Sequence, residues 1–130
     1  MSLLENIKIS EGFRSKVYQD SLGFDTIGYG TKLPLSEYEA ELILVSRLES
    51  KKKELINRKP LVLELNQSVQ DALFEMAYQL GVHGLLKFKK MWEALDNTDY
   101  RTAKKEALDS RWSKQTPNRA ARIAKIIGEG

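Results

Sequence analysis

The sequence contains no cysteine and only one histidine, and these two shortages exclude most catalytic chemistries. Without thiols there is no disulfide, no thiolate metal site and no cysteine nucleophile. A Ser-His-Asp triad would have to use His83, yet no G-x-S-x-G nucleophile motif occurs. A zinc hydrolase usually needs more than one imidazole. His83, in "QLGVHGLL", is therefore predicted to be an exposed turn residue, and carboxylate chemistry or no chemistry remains. We expect no metal and no cofactor.

Long apolar runs are also missing. No segment approaches the ~20 apolar residues that a membrane-spanning helix needs. The start, "MSLLENIKIS", lacks the basic head and apolar stretch of a secretory signal. We therefore expect a protein that is made in a cytoplasm, carries no export device and does not insert stably into a membrane.

What is present is the composition of an ordinary globular domain. The 130 residues are 42% hydrophobic and 30% charged, which is enough to bury a core without covalent staples. The net charge is +3, and because residues 1–65 hold ten basic and ten acidic residues, the excess lies in residues 66–130. A basic balance favours an anionic partner, such as a nucleic acid, an anionic membrane or an acidic cell-wall polymer.

The apolar pattern of the first 30 residues changes once, from the spacing of a helix to that of β-strands. Apolar residues at positions 3, 4, 7 and 9 predict a first helix that Gly12 ends directly after Glu11. The segments "KVYQ" and "FDTIGYG", separated by the turn signal "DSLG", then predict a β-hairpin. Alternation along its second strand would place Thr26, Gly28 and Gly30 on one face.

The rest of the chain has helical spacing. Ser36 with Glu39 forms a capping-box signature at the start of a long helix to about Asn57, whose charged middle "ESKKKE" is predicted to be exposed. Further start and stop signals for helices follow at Asn66 or Ser68, and at Gly81, Asp99, Thr116 and Gly128. Four large apolar residues at helical spacing are expected in the core: Met76, Met91, Trp92 and Trp112.

Together these elements predict an α+β, mostly α fold. A small β-hairpin lobe (residues 12–35) would be joined by a connecting helix (36–57) to a helical lobe (1–11 plus 58–130). We treat residues 1–130 as a single domain. A cleft between two lobes is the usual place for a binding site, so the functional residues are expected to face such a cleft.

Three segments of the chain resemble one family of enzymes. "EGFRSKVYQDSLGFDTIGYGT" resembles the catalytic segment of the phage-type lysozymes, with its glutamate, turn aspartate and threonine before a glycine pair. "DSRWSKQTPNRAARI" resembles the C-terminal segment of the T-even phage branch of that family, and "ALFEMAYQLG" resembles the helix between them. Since the three motifs agree in order and spacing over nearly the whole chain, the resemblance implies a lysozyme-like fold with an active-site cleft between the lobes.

The resemblance implies a muramidase, which hydrolyses the β-1,4 bond between N-acetylmuramic acid and N-acetylglucosamine in peptidoglycan with inversion. Glu11 would be the general acid that protonates the leaving oxygen, and Asp20 and Thr26 would hold the attacking water. An inverting enzyme needs carboxyl groups about 6.5–9.5 Å apart, so that a water fits between them. Considered without the resemblance, these three residues are ordinary surface polar residues of a small hairpin.

The resemblance also implies a set of substrate-binding residues: Lys32, Tyr78, Gln79, Gln115 and Arg119. Lys32 stands where the T-even branch has leucine, and Arg119 would approach Glu11 from the last helix. Aromatic and amide side chains suit a sugar, which offers apolar ring faces and N-acetyl groups, whereas the alternative for Tyr78 is a place in the core. The implied partner is bacterial peptidoglycan, bound by a monomer.

For a member of this family the implied role is that of an endolysin, a bacteriolytic enzyme of host cell lysis. The protein would be made in the host bacterial cytoplasm. It would act on the cell wall after a separate pore protein has permeabilised the membrane.

Two alternatives stay open at this point. A lytic transglycosylase cleaves the same bond with one glutamate and no water, which would leave Asp20 and Thr26 without a role. A non-catalytic basic domain that binds wall or nucleic acid would use residues such as Arg111 and Lys114. No zinc, helix-turn-helix or ribonucleoprotein signature occurs, so a nucleic-acid partner is not expected.

Overall fold

The computed structural model describes all residues from 1 to 130 and is mostly helical (69%) with one small antiparallel sheet. This confirms the predicted α+β, mostly α class. In chain order the elements are α1 (Leu3–Glu11), β1 (Arg14–Gln19), β2 (Asp25–Gly28), β3 (Thr31–Lys32), α2 (Glu37–Arg58), a 3₁₀ segment (Pro60–Glu64), α3 (Gln67–Leu86), α4 (Lys89–Asp96), α5 (Tyr100–Leu108), α6 (Arg111–Gln115) and α7 (Pro117–Gly128). None of these helices combines the length and the apolar character that crossing a bilayer requires.

Contacts within the chain divide it into two compact units, Met1–Ile43 and Leu44–Gly130. The helix α2 contributes residues to both units. By its contacts α1 belongs to the first unit, whereas the sequence grouped residues 1–11 with the helical lobe. The predicted lobe boundaries, and the predicted cleft between the lobes, stay predictions.

The helix α1 is bounded by local signals at both ends. At its start the Ser2 hydroxyl accepts a hydrogen bond from the Glu5 N–H (3.1 Å), and the Glu5 carboxylate accepts one from the Ser2 N–H (3.4 Å). At its end Gly12 adopts a φ of 68° and donates its N–H to the Lys8 carbonyl, as predicted. Glycine takes up a positive φ without a steric cost. These two caps fix Glu11 as the last residue of the helix.

The sheet has the strand order β1-β2-β3, and both pairings are antiparallel. Strands β1 and β2 form the predicted hairpin, and the Gly23 N–H donates to the Asp20 carbonyl across the predicted turn (3.0 Å). The third strand was not predicted, because two residues are too short to show an alternating pattern. It pairs with β2 so that Lys32 lies directly opposite Thr26.

The predicted common face for Thr26, Gly28 and Gly30 is wrong. Strand β2 ends at Gly28, and Gly28 and Gly30 have φ values of 70° and 74°. Two positive φ values in three residues turn the chain back on itself, so these glycines build the connection to β3 instead of extending β2.

The long helix α2 starts with the predicted capping box. The Glu39 carboxylate accepts from the Ser36 N–H (2.9 Å), and the Ser36 hydroxyl accepts from the Glu39 N–H (3.1 Å). The helix reaches Arg58, one residue beyond the predicted end. Leu55 is its only buried residue, and even the apolar Val45 is 52% exposed, so solvent reaches parts of α2 outside its charged middle.

The core of the second unit is formed by helices α3 to α7 and the 3₁₀ segment. Helix α7 packs against α3, α5 and α6, and α4 packs against α5. The four residues predicted for this core are all buried, with at most 4% exposure: Met76, Met91, Trp92 and Trp112. The indole N–H of Trp92 donates to the Leu85 carbonyl (3.0 Å), so this buried donor is satisfied.

The start of α3 is confirmed, whereas its predicted stop at Gly81 is a kink inside the helix. The Asn66 side chain accepts from the Val69 N–H (2.9 Å) at the start, and Gly81 leaves helical geometry with φ 78° and ψ 154°. Helical structure continues beyond Gly81 to Leu86, so His83 is exposed, as predicted, but lies in the helix and not in a turn.

One cap is not formed as the sequence suggested. Helix α7 begins at Pro117 and ends at Gly128, in agreement with the prediction, but the Thr116 side chain does not cap it. The Thr116 hydroxyl donates instead to the Trp112 carbonyl (3.1 Å), at the end of α6, a short helix that was not predicted separately.

Candidate active site

Glu11 ends α1 and is exposed. Within its unit its carboxylate accepts no hydrogen bond and forms no ion pair. The backbone of Gly30 lies against it, because a Cβ placed on Gly30 would be 2.6 Å from Glu11 Cδ. Any other residue at position 30 would have to displace this carboxyl group. The β2–β3 connection therefore sets the position of the Glu11 side chain.

Asp20 directly follows β1, and its carboxylate is held by three donors. Oδ1 accepts from the N–H groups of Leu22 and Phe24, both at 2.9 Å. Oδ2 accepts from the Lys32 ammonium group at 2.5 Å. Aspartate commonly binds the backbone N–H two residues on in this way and thereby fixes a turn. The side chain is 15% exposed, so both its position and its contact with solvent are restricted.

These contacts set the charge state of the pair. The Lys32 ammonium and, after it, the Phe24 N–H lower the pKa of Asp20 below its ordinary value. The hydrogen bond to Asp20 raises the pKa of Lys32 most, burial opposes this rise, and the negative charges of Asp20 and Glu11 add smaller increases. At neutral pH Asp20 is therefore a carboxylate, suited to accept hydrogen bonds and not to donate a proton.

Thr26 is the only buried polar residue of the chain, with 1% exposure. Its hydroxyl donates to the Phe24 carbonyl (2.8 Å), which leaves the oxygen lone pairs as acceptors. In the sheet it lies opposite Tyr18 of β1 and opposite Lys32 of β3. Side chains paired in this way have Cβ atoms about 4.5–5.5 Å apart, so Tyr18, Thr26 and Lys32 form one cross-strand row.

Half of the predicted site residues thus lie in the first unit: Glu11, Asp20, Thr26 and Lys32. Lys32 interacts with each of the other three residues. It forms an ion pair with Asp20, lies opposite Thr26 in the sheet and is influenced by the charge of Glu11. The other predicted site residues lie in the second unit: Tyr78, Gln79, Gln115 and Arg119. The predicted approach of Arg119 to Glu11 stays a prediction.

Three of the four predicted site residues of the second unit line cavities, and these are two different cavities. Tyr78 and Arg119 line a cavity of about 410 Å³ on which Phe74 also borders, and Tyr78 is partly exposed there. Gln115 is exposed and lines a different cavity, of about 530 Å³, together with Trp112.

Gln79 has a structural contact. Its Oε1 accepts a hydrogen bond from the Trp112 indole N–H (2.9 Å). This bond satisfies a donor of a largely buried tryptophan and fixes which end of the Gln79 amide is occupied. The amide NH₂ group of Gln79 remains as a donor.

The sequence reasoning missed Glu75. Its Oε2 accepts from Arg119 Nε at 2.9 Å and from Arg122 Nη2 at 2.5 Å. The bond from Arg122 lowers the pKa of Glu75 most, and the bond from Arg119 adds to it, against an opposing effect of partial burial. The spacing of Arg119 and Arg122 was an available signal, because residues three apart share one helix face. Their common partner in another helix could not be read from that spacing.

We expect Glu75→Gln to lower the free energy of unfolding at pH 7 by on the order of 1 kcal/mol, because both guanidinium groups lose a charged acceptor. The native pKa of Glu75 lies below its ordinary value of 4.5, so this stabilisation is present above that pH and is lost as the pH falls through the native pKa. The unfolding free energies of the wild type and the variant, measured in urea, should therefore converge as the pH falls below the native pKa of Glu75.

The control for this experiment is Glu54→Gln, since Glu54 is an exposed carboxylate of α2 without an ion-pair partner. It should change the unfolding free energy little at any pH. A difference between the wild type and Glu75→Gln that stays constant from pH 7 to the acidic range would contradict the assignment.

A comparison with known families identifies the family of this chain. The family model of phage lysozyme matches residues 8–125, and the chain belongs to this family. Within it, the chain is a phage-type lysozyme of the T4 branch. This confirms the predicted family and supports a lysozyme-like function, that of a glycoside hydrolase.

Three relatives illustrate this similarity. The pre-baseplate central spike protein Gp5 of Enterobacteria phage T4 is 31% identical over 161 aligned positions, which cover 100% of this chain and 28% of the spike protein. Probable T4-type lysozymes 1 and 2 of Dictyostelium discoideum are 25% and 26% identical, over 99% of this chain and 95% of each relative. The chain therefore spans just over a quarter of the spike protein but nearly the full length of the two lysozymes.

Proposed function

We propose that this protein is an endolysin that hydrolyses the β-1,4 bond between N-acetylmuramic acid and N-acetylglucosamine of peptidoglycan with inversion. The observation that carries the proposal is the contrast between two carboxyl groups of the first unit. Asp20 is held by three hydrogen-bond donors, whereas Glu11 has none within that unit. Carboxyl groups with different surroundings are what acid and base roles in one glycosidase require.

Asp20 is assigned to the attacking water. Oδ1 has both of its acceptor positions filled by backbone N–H groups, while Oδ2 accepts only from Lys32 and keeps one position open. A water held there would meet an ionised acceptor in a fixed orientation. Thr26 is assigned to the same water, because its hydrogen is engaged with Phe24 and its lone pairs are its remaining capacity.

Glu11 is assigned to the leaving group. A general acid must carry its proton at the working pH, and hydrogen bonds from donors would favour its ionised form. Within the first unit no such donor binds Glu11, in contrast to Asp20. The carboxyl group lies against the backbone of Gly30 in the β2–β3 connection and is exposed, so a substrate could reach it. This position supports the assigned role.

The substrate-binding assignments rest on the free groups of the second unit. The Gln79 NH₂ group suits an N-acetyl carbonyl, and the ring of Tyr78 borders a cavity suited to a sugar face. Gln115 offers an exposed amide, and Arg119 is held in place by Glu75. We assign all four to peptidoglycan, bound by a monomer, with no requirement for a metal or cofactor.

The cellular setting is part of the proposal. The endolysin would be made in the host cytoplasm and would reach the wall once a separate pore protein has opened the membrane. Similarity to the phage T4 spike protein supports a second setting, in which a chain of this kind serves as part of a larger protein. Cosedimentation of the chain with purified phage particles would favour the second setting.

The decisive experiment is the analysis of fresh products from purified peptidoglycan. We expect new reducing ends, and proton NMR in the first minutes should show the α-anomer, because inversion at a β-linked carbon produces it. The β-anomer would overturn the inverting mechanism. Ends carrying a 1,6-anhydro ring would identify a lytic transglycosylase, and wall binding without any product would favour a non-catalytic domain.

A further inference from the structure

The third strand brings a lysine into the cluster of predicted catalytic residues. Lys32 Nζ lies 2.5 Å from Asp20 Oδ2, and Lys32 pairs directly with Thr26 across the sheet. Its side chain is 57% exposed, so it contributes little to the packing of the unit. An ion pair that is not needed for packing and binds a proposed catalytic carboxylate points to a role in the reaction.

We propose that Lys32 is a positioning residue for the hydrolysis, which fixes the Asp20 carboxylate in one orientation. This inference rests on the proposed function. It differs from direct substrate binding, because Lys32 acts through the Asp20 carboxylate.

The hydrogen-bond inventory supports fixed positioning. The two backbone N–H groups of Leu22 and Phe24 hold Oδ1, and the Lys32 ammonium group holds Oδ2, so rotation of the Asp20 carboxylate would break several bonds at once. The single open acceptor position on Oδ2 lies beside the ammonium group. Since Thr26 is the cross-strand neighbour of Lys32, this position is on the part of the sheet where the second proposed water ligand lies.

The titratable groups around Lys32 are Asp20 at the turn, Glu11 of α1 and Tyr18 of β1, and β2 faces it with the neutral Thr26. No second cation binds Asp20. Removing the ammonium group would therefore raise the pKa of Asp20 and favour its protonated form.

The experiment is the pH dependence of reducing-end release from purified peptidoglycan by wild type, Lys32→Met and Lys32→Arg. Lys32→Met should be slower by about tenfold at its optimum, and the acidic limb of its profile should move to higher pH. This limb moves up because Asp20 binds a proton more readily without the ammonium group. Lys32→Arg should restore the acidic limb.

The matched control is Lys16→Met, since Lys16 is an exposed lysine of β1 in no ion pair. It should leave the rate and the acidic limb unchanged. An acidic limb that stays in place in Lys32→Met, whatever its maximal rate, would overturn the proposal, because loss of a structural or substrate contact lowers the rate without moving this limb.

A second readout separates this inference from the proposed function. Carbon-13 NMR titration of the Asp20 carboxyl should show a higher midpoint in Lys32→Met than in the wild type, and a wild-type midpoint in Lys32→Arg. An unchanged midpoint in Lys32→Met would overturn the role of Lys32 even in an active enzyme. A wild type that releases no reducing ends would overturn the proposed hydrolysis instead.

Discussion

Glu11→Gln is expected to abolish wall hydrolysis, with a fall of about 10²–10⁴ or more in the initial rate of reducing-end release. Glutamine has nearly the same shape as glutamate, but its amide cannot protonate the leaving glycosidic oxygen. Folding should not suffer, because the Glu11 carboxylate has no hydrogen-bond or ion-pair partner within its unit. Urea or thermal unfolding should therefore show a variant at least as stable as the wild type.

The control for this prediction is Glu41→Gln. Glu41 is another exposed carboxylate of the first unit, on α2, and it also lacks an ion-pair partner. Its replacement removes the same charge and should leave both rate and stability unchanged. Full lytic activity in Glu11→Gln would remove the general acid and with it the proposed mechanism.

Asp20→Asn should cost about 10²-fold or more of the hydrolysis rate. Asparagine can still offer an oxygen to the N–H groups of Leu22 and Phe24, so the turn should be retained. Its NH₂ group would then face the Lys32 ammonium group, and neither an anionic acceptor for the water nor the ion pair would remain. Reducing-end release and the circular dichroism spectrum should be measured together, so that a lost rate with a retained fold can be recognised.

Two companion variants make the Asp20 result specific. Asp25→Asn removes an exposed carboxylate at the start of β2 and should be close to wild type. Thr26→Ser should have a milder effect than Asp20→Asn, because a hydroxyl remains to donate to the Phe24 carbonyl. Equal losses of hydrolysis rate in Asp25→Asn and Asp20→Asn would show that the rate depends on the net charge of the hairpin and not on the position of Asp20.

Much of the secondary structure could be predicted from short-range signals. The end of α1 at Gly12, the capping box of Ser36 with Glu39 and the cap at Asn66 each depend on contacts within a few residues. Such contacts form within one turn of chain, so the residues that make them stand close together in the sequence. The core positions could also be predicted locally, because apolar residues three or four apart lie on the same face of a helix.

The candidate site was predictable in identity but not in its contacts. A glutamate at a helix end, an aspartate at a turn and a threonine on a strand stand in one motif, and the family resemblance supplied their predicted roles. No partner for Asp20 beyond its own turn could be predicted from the sequence. Lys32 became its partner only because the two-residue strand β3 returns alongside β2.

The fold class, the family and most helix ends could be predicted from the chain alone, since they depend on composition, periodicity, short motifs and local hydrogen bonds. The contacts between distant side chains could not: Lys32 with Asp20, Glu75 with Arg119 and Arg122, and Gln79 with Trp112. The tertiary structure also redirected Thr116 from the predicted cap to the Trp112 carbonyl. The physical reason is that many side chains of the sequence could pair with a given charged or amide group. Which one does so depends on how the strands and helices pack.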